Sequence, residues 1–322
     1  MEIRWGLSEL PGLLTEVGIK RPLLVASDRW SSDLLPVEVA GVWSEVPSDR
    51  IGDAVEIARG GDGLLALGGG SAIDLGKAIS AESGLPLVSV PTTYSGSEWT
   101  EFFGVRDRNR RMQGGGSGAT LAGLVYEPEL TMGLPREETV GTALNALAHS
   151  AEAFYAKGRS ERGDRHAFSG ARPISYALPL VVDDPGSRYA RTRLLEGAMR
   201  SGMALAEAGM ALGHAMAQAL GGRYGLPHGA LNAVTLPPAL RFNEPVAGAE
   251  IARFGEAMGT DDPVGRVEEL AQLGEFARLR DLGVPEDELG EVAEAAAARP
   301  AARANPRPAP APEIEELLRS VW

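Results

Sequence analysis

Short apolar runs separated by amphipathic segments make up the first third of the chain. The runs show little polar alternation, which is typical of strands buried on both faces. Between them, apolar residues recur at helical spacing. The pattern predicts strands at Pro22–Ser27, Val42–Val46, Gly63–Leu67 and Pro86–Val90, and helices at Ile51–Arg59 and Ser71–Ala81. Together these elements indicate a parallel sheet covered by helices.

The pattern changes near Pro135, where long alanine- and leucine-rich repeats of helical periodicity replace the strand signals. Helices are predicted over 137–157, 173–182, 189–221, 229–241 and 246–258. The predicted fold class is therefore an α/β domain over 1–134 with a parallel sheet, followed by an all-α domain over 135–322.

The segment 291–312 is rich in alanine and proline. Because its prolines prevent a continuous helix, we expect it to be linker-like or to lie along the surface. A single short helix is predicted at Glu313–Trp322.

Composition and charge exclude several classes of partner. The 322 residues are 44% hydrophobic and 23% charged, an ordinary globular mixture, and the formal net charge is -13. Such a field repels phosphate backbones, so nucleic acid is not an expected partner. The one dense basic run, at 106–111, is interpreted as a solvated turn.

Cysteine and long apolar stretches are both missing from the sequence. No stretch approaches the roughly 20 apolar residues of a membrane span, and the first residues lack the apolar core of a signal peptide. Without cysteine, disulfides and thiolate metal sites are excluded. A cytoplasmic protein with no membrane partner is the resulting expectation.

A run of glycines follows the predicted strand Gly63–Leu67 and opens the next helix. Gly68, Gly69 and Gly70 allow a ligand to approach the backbone, and Ser71 begins the helix. Unpaired N–H groups and the helix dipole make such a turn attractive to phosphate. The spacing is not that of the usual dinucleotide fingerprint, so the glycines alone fit a ligand-free tight turn equally well.

A second polar loop follows the strand Pro86–Val90 and favours the phosphate interpretation. Its hydroxyl groups on Thr92, Thr93 and Ser97 suit phosphate, ribose and amide groups. Ligands of open α/β sheets bind at this carboxyl edge of the strands. Asp28, after the first predicted strand, is placed to accept from a ribose hydroxyl, which would favour NAD over NADP. A helix N-cap is the alternative role for Asp28.

Three of the four histidines lie in helical, alanine-rich surroundings. Asn145 and His149 are four residues apart, which places them on one helix face, and His214 and His228 come from two further segments. This arrangement is typical of a divalent metal held between helices. Because the set carries no negative charge, a second interpretation is a metal-free pocket whose imidazoles donate hydrogen bonds to a substrate oxygen. A third is that these are hydrogen-bonded histidines of the core.

The residues resemble the iron-containing (group III) alcohol dehydrogenase superfamily, and within it the maleylacetate reductase branch. The resemblance runs from about Arg21 to Asn243 and is carried, in order, by GGGSAIDLGKA, VPTTYSGSE, YEPELTMGLP, NALAHSAEAFYA and HAMAQALGGRYGLPHG. It implies a dehydroquinate synthase-like fold with an N-terminal nucleotide-binding domain, a helical substrate and metal domain, and a homodimer. It also implies NAD or NADP as cofactor and a divalent ion, iron or zinc.

The resemblance also assigns roles to individual residues. Gly68–Ser71, with Asp74 just inside the helix, match the pyrophosphate turn, and Thr92, Thr93 and Ser97 match the nicotinamide-side loop. His149, His214 and His228 match three of the four metal positions.

Two positions depart from the pattern. Asn145 stands where the metal-dependent members have aspartate, and Gln218 stands where the family usually has a histidine linked to proton transfer. Glutamine cannot titrate, so the usual proton relay is not expected here. Gln218 and Asn145 would instead orient substrate or water.

These observations predict an NAD(P)-dependent oxidoreductase that moves a hydride between nicotinamide and a small alcohol or carbonyl substrate, with His149, His214, His228 and Gln218 at the reaction centre. Three alternatives stay open. One is a biosynthetic tailoring dehydrogenase acting on a carrier- or peptide-borne alcohol. The others are a dehydroquinate synthase-like cyclase or lyase, and a degenerate NAD-binding subunit.

Overall fold

The apolar runs of the first third form a six-stranded parallel sheet with the order β1-β8-β5-β4-β2-β3. The computed structural model describes residues 1–322. The strands are β1 (Glu2–Trp5), β2 (Pro22–Val25), β3 (Gly41–Trp43), β4 (Gly63–Gly68), β5 (Leu87–Pro91), β6 (Phe103–Arg106), β7 (Met112–Gly116) and β8 (Leu121–Tyr126). Strands β6 and β7 form a separate antiparallel hairpin.

The central strands β2, β4 and β5 are buried on both faces, as the unalternating apolar runs predict. Along β4, Leu65 and Leu67 pack into one apolar cluster, whereas Leu64 and Ala66 pack into another. Three helices accompany the strands: α1 (Leu10–Glu16), α2 (Ile51–Ala58) and α3 (Gly70–Ser83). The predicted parallel sheet is confirmed.

Two sheet strands, β1 and β8, were not expected from the sequence. Strand β1 is short and partly exposed, and β8 has only four fully buried positions, so neither gives a clear apolar run. The weak candidate at Val42–Val46 is shortened to Gly41–Trp43. Residues 107–111 of the basic run form the turn of the β6–β7 hairpin, and the exposure of 108–111 confirms the interpretation as a solvated turn, whereas Arg106 ends β6 and is half-buried.

The second part of the chain is helical. Its helices are α4 (Arg136–Ala153), α5 (Glu161–Asp183), α6 (Arg188–Ala208), α7 (Leu212–Tyr224), α8 (His228–Met258), α9 (Pro263–Gln272), α10 (Leu289–Ala297), α11 (Pro300–Ala304) and α12 (Ala311–Ser320). The single helix expected over 189–221 is wrong, because Gly209, with φ +77°, ends α6. The two helices expected at 229–241 and 246–258 are confirmed as the two arms of α8, which meet at a kink where the backbone of Ala247 is non-helical (φ −136°, ψ 27°).

The chain divides into two units. Unit 1 comprises Met1–Thr93 and Thr100–Thr131, and unit 2 comprises Tyr94–Trp99 and Met132–Trp322. The inclusion of Tyr94–Trp99 in the helical unit was not apparent from the sequence. No helix combines the length and apolar character required to cross a membrane.

The prediction that no continuous helix runs through 291–312 is confirmed, but the linker-like alternative is wrong, because the segment is divided among three short helices and is anchored. Pro300 and Pro312 stand at the first turns of α11 and α12, where a missing N–H group costs nothing. Asn305, between these helices, is fully buried. Its Nδ2 donates to Oδ1 of Asn243 at 2.7 Å, and Nδ2 of Asn243 donates in return at 2.9 Å.

Candidate active site

The glycine turn of unit 1 joins β4 to α3. A Cβ atom on Gly68 would lie 2.8 Å from Cβ of Ala72, and one on Gly69 would lie 2.8 Å from Cγ2 of Thr93. Both distances are too short for a side chain. No side chain caps α3 at Gly69, so the first N–H groups of the helix have no side-chain acceptor. This backbone can bind phosphate, as its sequence predicted.

The loop after β5 lies against the glycine turn within unit 1. The N–H group of Thr92 donates to the main-chain oxygen of Gly68 at 3.0 Å. Oγ1 of Thr93 is buried without a hydrogen-bond partner and would lie 3.3 Å from a Cβ atom on Gly69. An unpartnered buried hydroxyl beside an uncapped helix start is consistent with a ligand at this turn.

Asp28 is exposed in the turn that follows β2, the strand beside β4. Because β2 and β4 are parallel, Asp28 lies at the same edge of the sheet as the glycine turn. The N-cap alternative is wrong, since the next helical turn, Ser32–Leu34, is capped by Ser31.

Asp74 has partners inside unit 1 for both carboxylate oxygens. Oδ1 pairs with Nζ of Lys77 at 3.0 Å, and Oδ2 accepts from the N–H group of Gly104 at 3.3 Å. Lys77, fully buried, also donates to the main-chain oxygen of Phe102 at 2.7 Å. Asp74 therefore ties α3 to the chain around the β6–β7 hairpin, a structural role that its sequence position did not indicate.

Replacing Gly69 with alanine should weaken dinucleotide binding about tenfold, because the new methyl group forces Thr93 to move. Calorimetric titration with NAD measures the effect. Gly52→Ala is the matched control, since a Cβ atom there meets nothing within 4 Å. Equal affinities for Gly69→Ala and the control would contradict the role of the turn.

In unit 2, helices α4, α7 and α8 bring three imidazole rings together. The ring centroids of His149 and His214 are 4.7 Å apart, and those of His214 and His228 are 5.9 Å apart. His149 and His214 are 4% and 0% exposed. Burial lowers the pKa of His149 well below its ordinary range, and the neighbouring imidazoles of His214 and His228 add to the shift. His149 is therefore a neutral imidazole at neutral pH.

Glu152 fixes the orientation of His214. Its Oε2 lies 2.7 Å from Nδ1 of His214 and accepts from the N–H group of Ala211 at 2.6 Å, while Oε1 accepts from the N–H group of His214 at 3.2 Å. The carboxylate is fully buried. It holds the proton of His214 on Nδ1, which leaves Nε2, a buried nitrogen with no hydrogen-bond partner, for a ligand.

A chain of amides orients Asn145. Its Nδ2 donates to the main-chain oxygen of Ser95 at 2.8 Å, and its Oδ1 accepts from Nδ2 of Asn232 at 2.7 Å. Nδ2 of Asn232 also lies 3.0 Å from Nε2 of His228. Because a main-chain oxygen can only accept, Ser95 fixes the orientation of both amides. Asn232 then donates to His228.

Glu152 and Asn232 are the site residues that sequence reasoning missed. Each is a short helical step from a predicted residue: Glu152 is three residues after His149, and Asn232 is four residues after His228. That spacing places each on the same helix face as its histidine, a signal that could have been used.

Gln218 lies one turn after His214 on α7, but its recorded contacts are not with the imidazoles. Its Nε2 is 3.4 Å from the sulfur atom of Met210, and its main-chain oxygen accepts from Nη2 of Arg299 at 3.0 Å. Ser97 belongs to the Tyr94–Trp99 segment of unit 2, and its Oγ lies 3.4 Å from Oγ of Ser95. Thr92 and Thr93, by contrast, belong to unit 1.

The four predicted metal residues come together, but their donors do not fit a divalent ion. The oxygen of Asn145 already accepts from Asn232, and Nε2 of His228 is within hydrogen-bond distance of the same amide. No group of three imidazole or carboxylate side chains is arranged as a metal site. With those two atoms engaged, the donors left to an ion are the imidazoles of His149 and His214, fewer than the three protein ligands of a catalytic zinc site.

Comparisons with known proteins cover both units. The model of the iron-containing alcohol dehydrogenase family matches residues 5–122, and the C-terminal model of the same family matches residues 139–322. A maleylacetate reductase of Burkholderia cepacia is 35% identical over 334 residues, covering 99% of this chain and 94% of the relative.

Solved structures agree with these matches. Maleylacetate reductase from Rhizobium sp. strain MTP-10005 is 32% identical with a TM-score of 0.88, covering 100% of this chain and 95% of that one. An iron-containing alcohol dehydrogenase from Corynebacterium glutamicum is 30% identical with a TM-score of 0.91, covering 100% and 94%. The expected dehydroquinate synthase-like fold is confirmed.

Proposed function

Because the chain belongs to the iron-containing alcohol dehydrogenase family and is an NAD(P)-dependent oxidoreductase, we propose that it reduces an oxo acid of the maleylacetate type. The observation that carries this proposal is the buried pair of Glu152 and His214, which aims an unpartnered imidazole nitrogen into a cluster of neutral donors. The names of the relatives supply the substrate class.

The cofactor half of the proposal rests on unit 1. The N–H groups at the start of α3 would hold the pyrophosphate, and Thr93 would contact the dinucleotide through its unpartnered hydroxyl. Asp28 would accept from a ribose hydroxyl, which favours NAD because a 2′-phosphate would be repelled. A homodimer and a cytoplasmic location stay predictions, as does the domain boundary near residue 134.

The chemical half rests on unit 2. A hydride passes from C4 of the reduced nicotinamide to a substrate carbon, and negative charge develops on the substrate oxygen. In the proposed step the ring of His214 carries a proton on Nε2 as well as the one held on Nδ1 by Glu152, whose carboxylate lies 2.7 Å away and offsets the charge. Nε2–H then donates to the oxygen and transfers its proton to it. Asn145 and Asn232 keep His228 in place beside this centre.

This assignment gives His214 the proton-donor role that Gln218 cannot fill. The family implies a divalent metal, but the amide and imidazole contacts of this chain do not fit one, so no step depends on an ion. Polarisation of the substrate oxygen comes from N–H donors instead.

Turnover tests the proposal directly. Purified protein mixed with maleylacetate and NADH should oxidise one NADH for each substrate molecule consumed, and more slowly with NADPH. Stoichiometric oxidation excludes a cyclase or lyase, which uses the cofactor only transiently, and a degenerate subunit, which turns over nothing. Absence of NADH oxidation with maleylacetate would contradict the proposal. Turnover of a carrier-borne alcohol instead would favour a tailoring dehydrogenase.

Removing divalent metals should leave the activity nearly unchanged, because the oxygen of Asn145 and Nε2 of His228 are engaged with Asn232. The measurement is kcat before and after dialysis against a chelator, with metal content followed by elemental analysis. Activity that disappears with the metal and returns when zinc or iron is added would show that the amide chain opens to bind an ion.

A further inference from the structure

Arg299 lies against helix α7 at the start of α11. Its Nη2 donates to the main-chain oxygen of Gln218 at 3.0 Å, and its Nη1 is 3.5 Å from Oε1 of the same residue. The second distance is at the outer limit of a hydrogen bond. A stronger acceptor can therefore take the place of the Gln218 side chain.

The segment that carries Arg299 is fixed in unit 2. Ala301 and Ala302 pack against Ala215, the residue after His214. The amide pair of Asn305 with Asn243 closes the segment from the other end, and Oδ1 of Asn305 also accepts from the N–H group of Leu212 at 3.4 Å. A guanidinium group held by such a segment loses little conformational entropy when it binds a ligand.

Arg299 is also near the imidazole cluster along the same helix. Gln218 follows His214 by four residues on α7, so the two share one face and are about 6 Å apart along the helix axis. Gln218 is only half-buried, whereas His214 is fully buried. One face of α7 therefore carries the buried imidazole of His214 and, one turn later, the half-buried Gln218, which contacts the guanidinium group of Arg299.

We propose that Arg299 is the carboxylate-binding subsite of the enzyme. This inference rests on the proposed function: it adds that the substrate must carry a carboxylate beyond the reacting oxygen, which Arg299 binds while His214 holds the oxygen. A guanidinium–carboxylate pair is charge-assisted and stronger than the contact with the neutral Gln218 amide. It also fits the absence of an acidic residue at position 218, because a carboxylate there would compete with the substrate for Arg299.

The geometry predicts specificity as well as affinity. Maleylacetate has a carboxylate at each end of its chain, and one of them is separated by several bonds from its oxo group. A substrate that lacks this distal carboxylate should bind weakly, since its charge-assisted contact with Arg299 would be lost. The subsite thus selects oxo dicarboxylates over simple ketones and aldehydes.

Calorimetric titration of maleylacetate into the full-length protein without reduced cofactor tests the subsite, because no turnover occurs. The expected result is roughly 10- to 100-fold weaker binding for Arg299→Gln, and a smaller loss for Arg299→Lys, which keeps the charge but not the fork geometry. Arg303→Gln is the matched control on the same short helix, where the exposed side chain donates to the main-chain oxygen of Ala298. Its affinity should equal that of the unaltered protein.

A kinetic comparison separates recognition from structural damage. With NADH, Arg299→Gln should raise KM for maleylacetate while kcat changes little, and KM for the analogue esterified at the distal carboxylate should not change. Equal losses for acid and ester, or a large fall in kcat for both, would overturn the inference in favour of a structural role. Unchanged binding of maleylacetate by Arg299→Gln, or no binding by the unaltered protein, would overturn it too.

The outcomes distinguish this inference from the proposed function. Reduction of maleylacetate with an unaffected Arg299→Gln variant would retain the function and reject the subsite. Binding that depends on Arg299 without NADH oxidation would retain the subsite and reject the function.

Discussion

Replacing His214 with alanine should lower kcat with maleylacetate by about 10³-fold, the usual contribution of a positioned proton donor. The ring is fully buried, and its Nε2 is the unpartnered nitrogen of the imidazole cluster. Alanine removes the donor to the substrate oxygen and leaves the Glu152 carboxylate without its imidazole partner. Steady-state and single-turnover rates of NADH oxidation measure the loss.

The same variant should still bind the dinucleotide, since the glycine turn and Thr93 belong to unit 1. Calorimetric titration with NAD should give an affinity within a few-fold of the unaltered protein. His166→Ala is the matched control: His166 is half-buried on α5, outside the imidazole cluster, and its loss should leave kcat unchanged. Lost NAD binding with preserved chemistry in His214→Ala would refute the assignment.

Replacing Glu152 with glutamine should lower kcat by roughly 10²-fold and reduce the free energy of unfolding by about 1–3 kcal/mol. The carboxylate accepts three hydrogen bonds in a fully buried position. An amide cannot reproduce them. If the amide oxygen takes the place of Oε2, it accepts from Ala211 and His214 Nδ1, but the amide NH2 then faces the main-chain N–H group of His214, which is also a donor. In the reverse orientation the NH2 faces the N–H group of Ala211 instead.

The loss of charge matters separately from the lost hydrogen bonds. Without the carboxylate, a proton on each nitrogen of His214 is no longer balanced, so the donor form at Nε2 becomes costly. We therefore expect kcat to fall while KM for maleylacetate stays within a few-fold. Thermal unfolding reports the stability change, and Glu244→Gln, at an exposed position of α8, controls for the loss of one negative charge. An unchanged kcat in folded Glu152→Gln would contradict the role of the pair.

The sequence predicted the sheet and the glycine turn because both depend on local patterns. Short apolar runs such as Gly63–Leu67 are typical of strands covered on both faces, and glycines after such a strand allow a backbone that larger residues would block. The gathering of His149, His214 and His228 was predictable because imidazoles in alanine-rich helices need partners.

Other features depend on partners that no local pattern identifies. Asp74 pairs with Lys77 and accepts a hydrogen bond from Gly104. Gly104 is thirty positions away in the sequence, so no local pattern indicates this contact. The proline-rich segment was misread because proline breaks helices in their interior but begins them at the first turn, and only the packed structure distinguishes these cases. The anchoring of Asn305 by Asn243 is likewise a contact between distant parts of the chain.

The decisive measurement is a crystal structure of the protein with NAD and a non-reacting oxo dicarboxylate. We expect the pyrophosphate on the N–H groups of Gly69 and Gly70, and the oxo oxygen about 3 Å from Nε2 of His214. Pyrophosphate bound elsewhere, or an oxo oxygen held by an ion or by residues other than these imidazoles, would contradict this expectation.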